Sequence, residues 1–127
     1  MALPRILYVD DETINLELFQ LTFINELEVL TANSAREGLE ILEMNPDIQV
    51  VISDLKMPVM NGLDFIKLVK QKSKGRVCML LTGFMESEVI LEGFNQELVF
   101  RYLMKPWRRD ELMDTILEAI RRQPHSC

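Results

Sequence analysis

Six side chains in this sequence are of types that could act together. Asp10, Asp11 and Glu12 follow the apolar run Ile6–Val9, and Asp54 closes the run Val50–Asp54. Thr82 ends a third apolar run and Lys105 a fourth. Two or three carboxylates in one crevice repel each other, and some stay protonated unless a cation intervenes. The ligand set is hard oxygen, with no paired His or Cys to draw a softer metal. Mg²⁺ fits best, because it takes few carboxylates and keeps waters that a phosphate can displace; Mn²⁺ is the second choice. A lysine beside carboxylates can pair with one of them and then with an arriving phosphoryl oxygen. Each residue alone has a plainer reading: Asp11 or Glu12 as a helix-start acid, Lys105 as an exposed strand-end residue, Thr82 as a β-branched strand residue. Together they point to metal-mediated phosphoryl chemistry. A direct phosphate loop would place Gly or hydroxyl residues after the first strand. An Asp10-Asp11-Glu12 turn repels a phosphate, which argues against flavin binding and a P-loop.

That chemistry requires a frame that brings the acids, Thr82 and Lys105 to one place. Short β-rich runs alternate with helical patterns along the chain. Strands are expected over Arg5–Asp10, Val29–Ala32, Val50–Asp54, Arg76–Thr82 and Phe100–Met104. Helices are expected over Thr13–Glu26, from Ser34 to about Met44, and over Leu63–Lys72, Glu86–Gln96 and Asp110–Arg122. Ser34 with Glu37 reads as a capping box, and Pro58 and Asn61-Gly62 punctuate the loop after the third strand. Leu112, Met113, Ile116, Leu117 and Ile120 form the expected apolar side of the last helix.

Five alternations imply a parallel sheet with helices on both faces, joined by right-handed crossovers. The first, third and fourth strands are continuous apolar runs, as burial on both faces demands. The second carries Glu28 and Thr31, which suits an edge. The expected fold class is α/β, and a flavodoxin-like (βα)5 doubly wound parallel sheet of strand order 2-1-3-4-5 satisfies all of this. In such sheets ligands bind beyond the carboxyl ends of the strands, where the acids, Thr82 and Lys105 all fall.

The length of 127 residues fits one domain. Residues 1–122 are read as that domain and 123–127 as a tail or truncated linker. The apolar share of 48% favours a folded state. No apolar run is long enough to span a bilayer, and no signal-peptide pattern opens the chain. Cys78 lies in an apolar run and reads as a small buried hydrophobe, so a reducing cytoplasm is the expected setting. A net charge of −6 argues mildly against direct nucleic-acid binding.

The sequence resembles receiver domains of bacterial two-component response regulators. The matching stretches are Ile6-Leu7-Tyr8-Val9-Asp10-Asp11-Glu12, Val51-Ile52-Ser53-Asp54-Leu55-Lys56-Met57-Pro58, Met60-Asn61-Gly62, Leu80-Leu81-Thr82-Gly83 and Arg101-Tyr102-Leu103-Met104-Lys105-Pro106-Trp107. Five motifs in order, from Arg5 to about Arg122, make the resemblance specific. It implies that Asp54 is the phosphoacceptor and that Asp10, Asp11, Asp54 and the backbone carbonyl of Lys56 hold the metal, with Asp11 the more direct side-chain ligand. It implies that Lys105 and Thr82 contact the phosphoryl group and that Tyr102 is the aromatic switch. Lys56 and Phe84 stand where the family tunes hydrolysis.

The implied partners are a sensor histidine kinase or a phosphotransfer protein. A homodimer through the fourth helix, fifth strand and last helix is the family's pattern. The domain would catalyse only its own phosphorylation and dephosphorylation. An aspartyl-phosphate phosphatase would carry a second Asp two residues after the nucleophile, where Lys56 stands. A docking module that keeps only the fold would have lost part of the acid pocket. On the first helix, Ile14, Leu18 and Leu21 form one stripe and Leu16, Phe19 and Phe23 another nearly opposite. One should cover the sheet, and the surplus reads as a kinase-docking surface, a dimer contact or a wide buried face. Trp107 is expected either to meet a partner or to pack on the last helix.

Overall fold

The computed structural model describes residues 3–83 and 97–122. Within them lie five strands, β1 (Arg5–Val9), β2 (Glu28–Ala32), β3 (Val50–Asp54), β4 (Val77–Thr82) and β5 (Arg101–Met104). Four helices accompany them: α1 (Thr13–Thr22), α2 (Ala35–Met44), α3 (Gly62–Lys72) and α4 (Arg109–Arg121). The helix expected over 86–96, Phe84 and the tail 123–127 lie outside the described residues.

All neighbouring strands are parallel, in the order β2-β1-β3-β4-β5. The flavodoxin-like order expected from the alternation is the order found. Successive side chains on a strand point to opposite faces, and each face has its own core. Leu7, Val9 and Val51 pack with Leu42 of α2 and with Phe65, Ile66 and Val69 of α3. Ile6, Tyr8, Val50 and Ile52 pack with Leu16 and Phe19 of α1 and with Leu112 and Ile116 of α4. A fully buried side chain of this size contributes about 1.5–3 kcal/mol.

Local chemistry sets the element ends. Ser34 Oγ accepts from the Glu37 N–H at 3.1 Å, as a capping box requires. The returning Glu37 carboxylate accepts from Asn33 N–H rather than from Ser34, at 2.7 Å, so the box closes one residue early. Asn61 caps α3 through Asp64 N–H at 2.8 Å.

Two expectations need correction. α1 ends at Thr22 and not Glu26, because the chain tightens there, with Ile24 N–H bonded to Leu21 O and Glu26 N–H to Phe23 O. That turn folds Phe23 under the helix, where it is fully buried. On α4 the buried side is Leu112, Ile116 and Ala119, while Leu117 is exposed at the far edge of the stripe. Trp107 is half-buried against the core that includes Leu112 and Ile116 of α4, and it also packs on α1. Its ring meets Phe19 edge-on at 5.7 Å and Phe23 at 5.9 Å, against α1 and its C-terminal turn.

Candidate functional site

A parallel sheet puts the carboxyl ends of all its strands on one edge. Asp10 follows β1, Asp54 ends β3, Thr82 ends β4 and Lys105 follows β5. Register ties them together. Asp54 pairs with Leu81, and Lys105 N–H donates to Thr82 O at 2.9 Å. The peptide bond between Lys105 and Pro106 is cis.

The carboxylates of Asp10, Asp11 and Asp54 offer oxygens that all lie within 4.8 Å of one another. Asp10 is completely buried, Asp54 nearly so, and Asp11 is exposed, so the group forms a crevice open on one side. Lys105 Nζ lies 3.1 Å from Asp54 Oδ1 and 3.5 Å from Asp10 Oδ2. Burial raises the Asp54 pKa above the ordinary carboxylate value, with Lys105 opposing the rise and Asp10 and Asp11 adding to it. Burial works against the Lys105 ammonium, but Asp54 and Asp10 more than offset it, and its pKa goes up. One ammonium therefore faces more negative charge than it can neutralise, and a divalent cation suits the excess.

The remaining candidates fall around this crevice. Thr82 is buried at the end of β4. Lys56 follows β3 with its side chain exposed, and Tyr102 on β5 is half-buried beside the core under α2 and α3. Sequence reasoning passed over Tyr8 and Asn15. Tyr8 Oη donates to Asp10 Oδ2 at 2.7 Å and Asn15 Nδ2 to the same oxygen at 3.1 Å. The two-residue strand period places Tyr8 and Asp10 on one side of the sheet, a signal that makes Tyr8 a candidate without fixing the contact. The sequence pattern makes Gly62 a turn residue, yet its amide donates to Leu55 O at 2.8 Å and a Cβ at this position would collide with the Asp54 backbone.

The family profile described as "Response regulator receiver domain" matches residues 6–117. The chain belongs to that family. Curated relatives of this receiver domain include the hydrogenase transcriptional regulatory protein HoxA of Cupriavidus necator, 35% identical over 93% of this chain and 24% of that protein. The regulatory protein AtoC of Escherichia coli is 31% identical over 96% of this chain and 26% of its own length. The chain thus spans about a quarter of these relatives. Among solved structures, a response regulator receiver domain protein from Clostridium thermocellum superposes with a TM-score of 0.87 at 35% identity, covering 96% of each chain. A CheY-like receiver domain protein from Methanospirillum hungatei gives 0.88 at 29% identity, covering 96% and 97%. The receiver domain is accordingly a signalling domain of the two-component phosphorelay type. None of its described helices is long and apolar enough to cross a membrane.

Proposed function

We propose that this receiver domain accepts a phosphoryl group on the Asp54 carboxylate from a phosphohistidine donor, and that the reaction requires Mg²⁺, or Mn²⁺ in its place. The observation that carries the reading is the crevice itself: three carboxylates within 4.8 Å, with Lys105 Nζ 3.1 Å from Asp54. Asp10, Asp11, Asp54 and the Lys56 carbonyl are the residues to hold the cation. When bound, the cation offsets charge on the equatorial phosphoryl oxygens.

An oxygen of Asp54 attacks phosphorus in line as the bond to the donor imidazole nitrogen breaks. That nitrogen leaves with the electron pair, and the product is an acyl phosphate. Lys105 exchanges its carboxylate partner for a phosphoryl oxygen, which is a charge-assisted hydrogen bond of the strong kind. Thr82 contacts a second phosphoryl oxygen, and Tyr102 reorients as Thr82 moves. Phosphorylation acts as a switch because it stabilises one of two conformations preferentially. Apart from phosphorylating and dephosphorylating itself, the domain has no enzymatic role in this reading.

The donor is a sensor histidine kinase or a phosphotransfer protein, and it docks on α1. Support comes from the surplus stripe: Leu16, Phe19 and Phe23 fill the core, whereas Ile14, Leu18, Leu21 and Ile24 are all more than half exposed. Exposed apolar surface of this continuity marks interaction sites. Output passes through the face of β5 and α4 to a partner, a further domain or a second copy, and Met104 and Leu117 are exposed there. The site of action is the cytoplasm.

The test is incubation with phosphoramidate and Mg²⁺, followed by intact mass. The wild type is expected to gain a single phosphoryl group, and Asp54→Ala none. Chelation of the metal should abolish labelling. Equal labelling of Asp54→Ala, or labelling indifferent to chelation, overturns the proposal.

A further inference from the structure

Tyr8 is the one residue of β1 whose side chain reaches the acid crevice with a donor. Its ring is fully buried and stacks on Phe19 at 4.1 Å with 18° between planes, so the hydroxyl has a fixed position. That hydroxyl donates to Asp10 Oδ2 at 2.7 Å. Asn15 Nδ2 donates to the same oxygen at 3.1 Å and Lys105 Nζ lies 3.5 Å from it. The other oxygen, Oδ1, takes a single hydrogen bond in the described residues, from Glu12 N–H at 3.0 Å. A carboxylate oxygen has about two lone-pair directions. Oδ2 is therefore saturated by protein donors, and Oδ1 keeps spare acceptor capacity.

We propose that Tyr8 is a positioning residue for the cation. By occupying Oδ2, its hydroxyl fixes the rotation of the Asp10 carboxylate and leaves Oδ1 as the oxygen that meets the metal or its hydration shell. The inference rests on the reading that Asp10, Asp11 and Asp54 hold that cation. Groups that orient ligating side chains from behind commonly change metal affinity about 10–100-fold when removed.

The experiment compares wild type, Tyr8→Phe and Phe23→Leu by two readouts. One is the rise in urea midpoint with added Mg²⁺, which reports affinity without any reaction. The other is the Mg²⁺ dependence of Asp54 labelling by phosphoramidate. Tyr8→Phe is expected to raise the half-saturating Mg²⁺ about 10-fold in both readouts, with a labelling rate near wild type at saturation. Phe23→Leu disturbs the same core without removing the ring that Tyr8 stacks on or any side-chain hydrogen bond; it should lower the midpoint without Mg²⁺ and leave the half-saturation unchanged. Should Tyr8→Phe not fold, Asn15→Ala removes the second donor to the same oxygen and is expected to shift half-saturation in the same direction. A Mg²⁺ response of Tyr8→Phe equal to wild type overturns this inference alone, as does an equal shift in Phe23→Leu. A wild type whose midpoint and labelling both ignore Mg²⁺ overturns the reading beneath it as well.

Discussion

A methyl group at position 62 would lie 2.2 Å from the Asp54 carbonyl oxygen and 2.8 Å from Leu80 Cδ2. The first contact is with backbone and cannot be relieved by a rotamer. Gly62 has no positive φ, so its role is steric: it lets α3 start directly against the end of β3. Gly62→Ala is expected to destabilise the domain by about 2 kcal/mol, as overpacking commonly does. It should also slow Asp54 labelling, since the strand end that carries the carboxylate must move. Urea denaturation and a phosphoramidate time course read the two effects separately. If labelling slows without any loss of stability, the displacement is local; if neither changes, the contact does not matter. Lys105 belongs to the same scale. Its spacing from the acids in sequence says nothing of contact, and only the pairing of β4 with β5 brings it within 3.1 Å of Asp54.

At the scale of elements, α2 poses a problem that a distant residue solves. The last carbonyls of a helix have no partners within it, and the final turn of α2 contains no basic residue. Arg76, just before β4, reaches across and donates to Leu42 O and Asn45 O, both at 3.1 Å, and to Ile48 O at 2.9 Å. Ser73 Oγ holds the remaining arm at 3.1 Å. Burial lowers the Arg76 pKa, yet a guanidinium stays charged under such conditions. Arg76→Met keeps most of the stem but strands buried carbonyls, and is expected to cost about 3 kcal/mol. The loss should appear as a lower urea midpoint with labelling of the folded fraction unchanged. A shift within about 0.5 kcal/mol would mean that water replaces the guanidinium without penalty. Most element bounds were legible from periodicity and punctuation. The end of α1 was not, because the turn at Phe23 follows from Trp107 and the sheet, neither of which local sequence contains.

At the scale of the whole molecule, the two faces of the sheet are separately sealed, and Cys78 offers a probe of one of them. It lies 1% exposed in the core under α2 and α3, and burial pushes its thiol pKa up to about 12. Only a thiolate is an effective nucleophile. In a Cys127→Ser chain, alkylation of Cys78 is therefore expected only through opening of the fold, with a rate that tracks the unfolded fraction across a urea series. Rapid modification in native buffer would show that α3 or α2 opens on its own. The same sealing explains the surplus apolar stripe of α1. The sheet can accept one side of that helix, and Leu16 and Phe19 take it, so Ile14, Leu18 and Leu21 stay at the surface.

Alternation of apolar runs with amphipathic segments was enough to determine a parallel α/β sheet and the edge on which Asp10, Asp54, Thr82 and Lys105 gather, and the order 2-1-3-4-5 was expected as one that satisfies it with β2 at an edge. These follow from periodicity, burial of both faces and the hand of the crossovers, all of which are local or topological rules. Tertiary structure alone decided which stripe of α1 is buried, where Trp107 packs, that Arg76 caps a helix far from it in sequence, and that Gly62 touches Asp54. It also decided that Tyr8, an ordinary strand aromatic by pattern, holds one oxygen of Asp10. Such facts depend on distances between residues remote in the chain, and a pattern of residue types carries no distances.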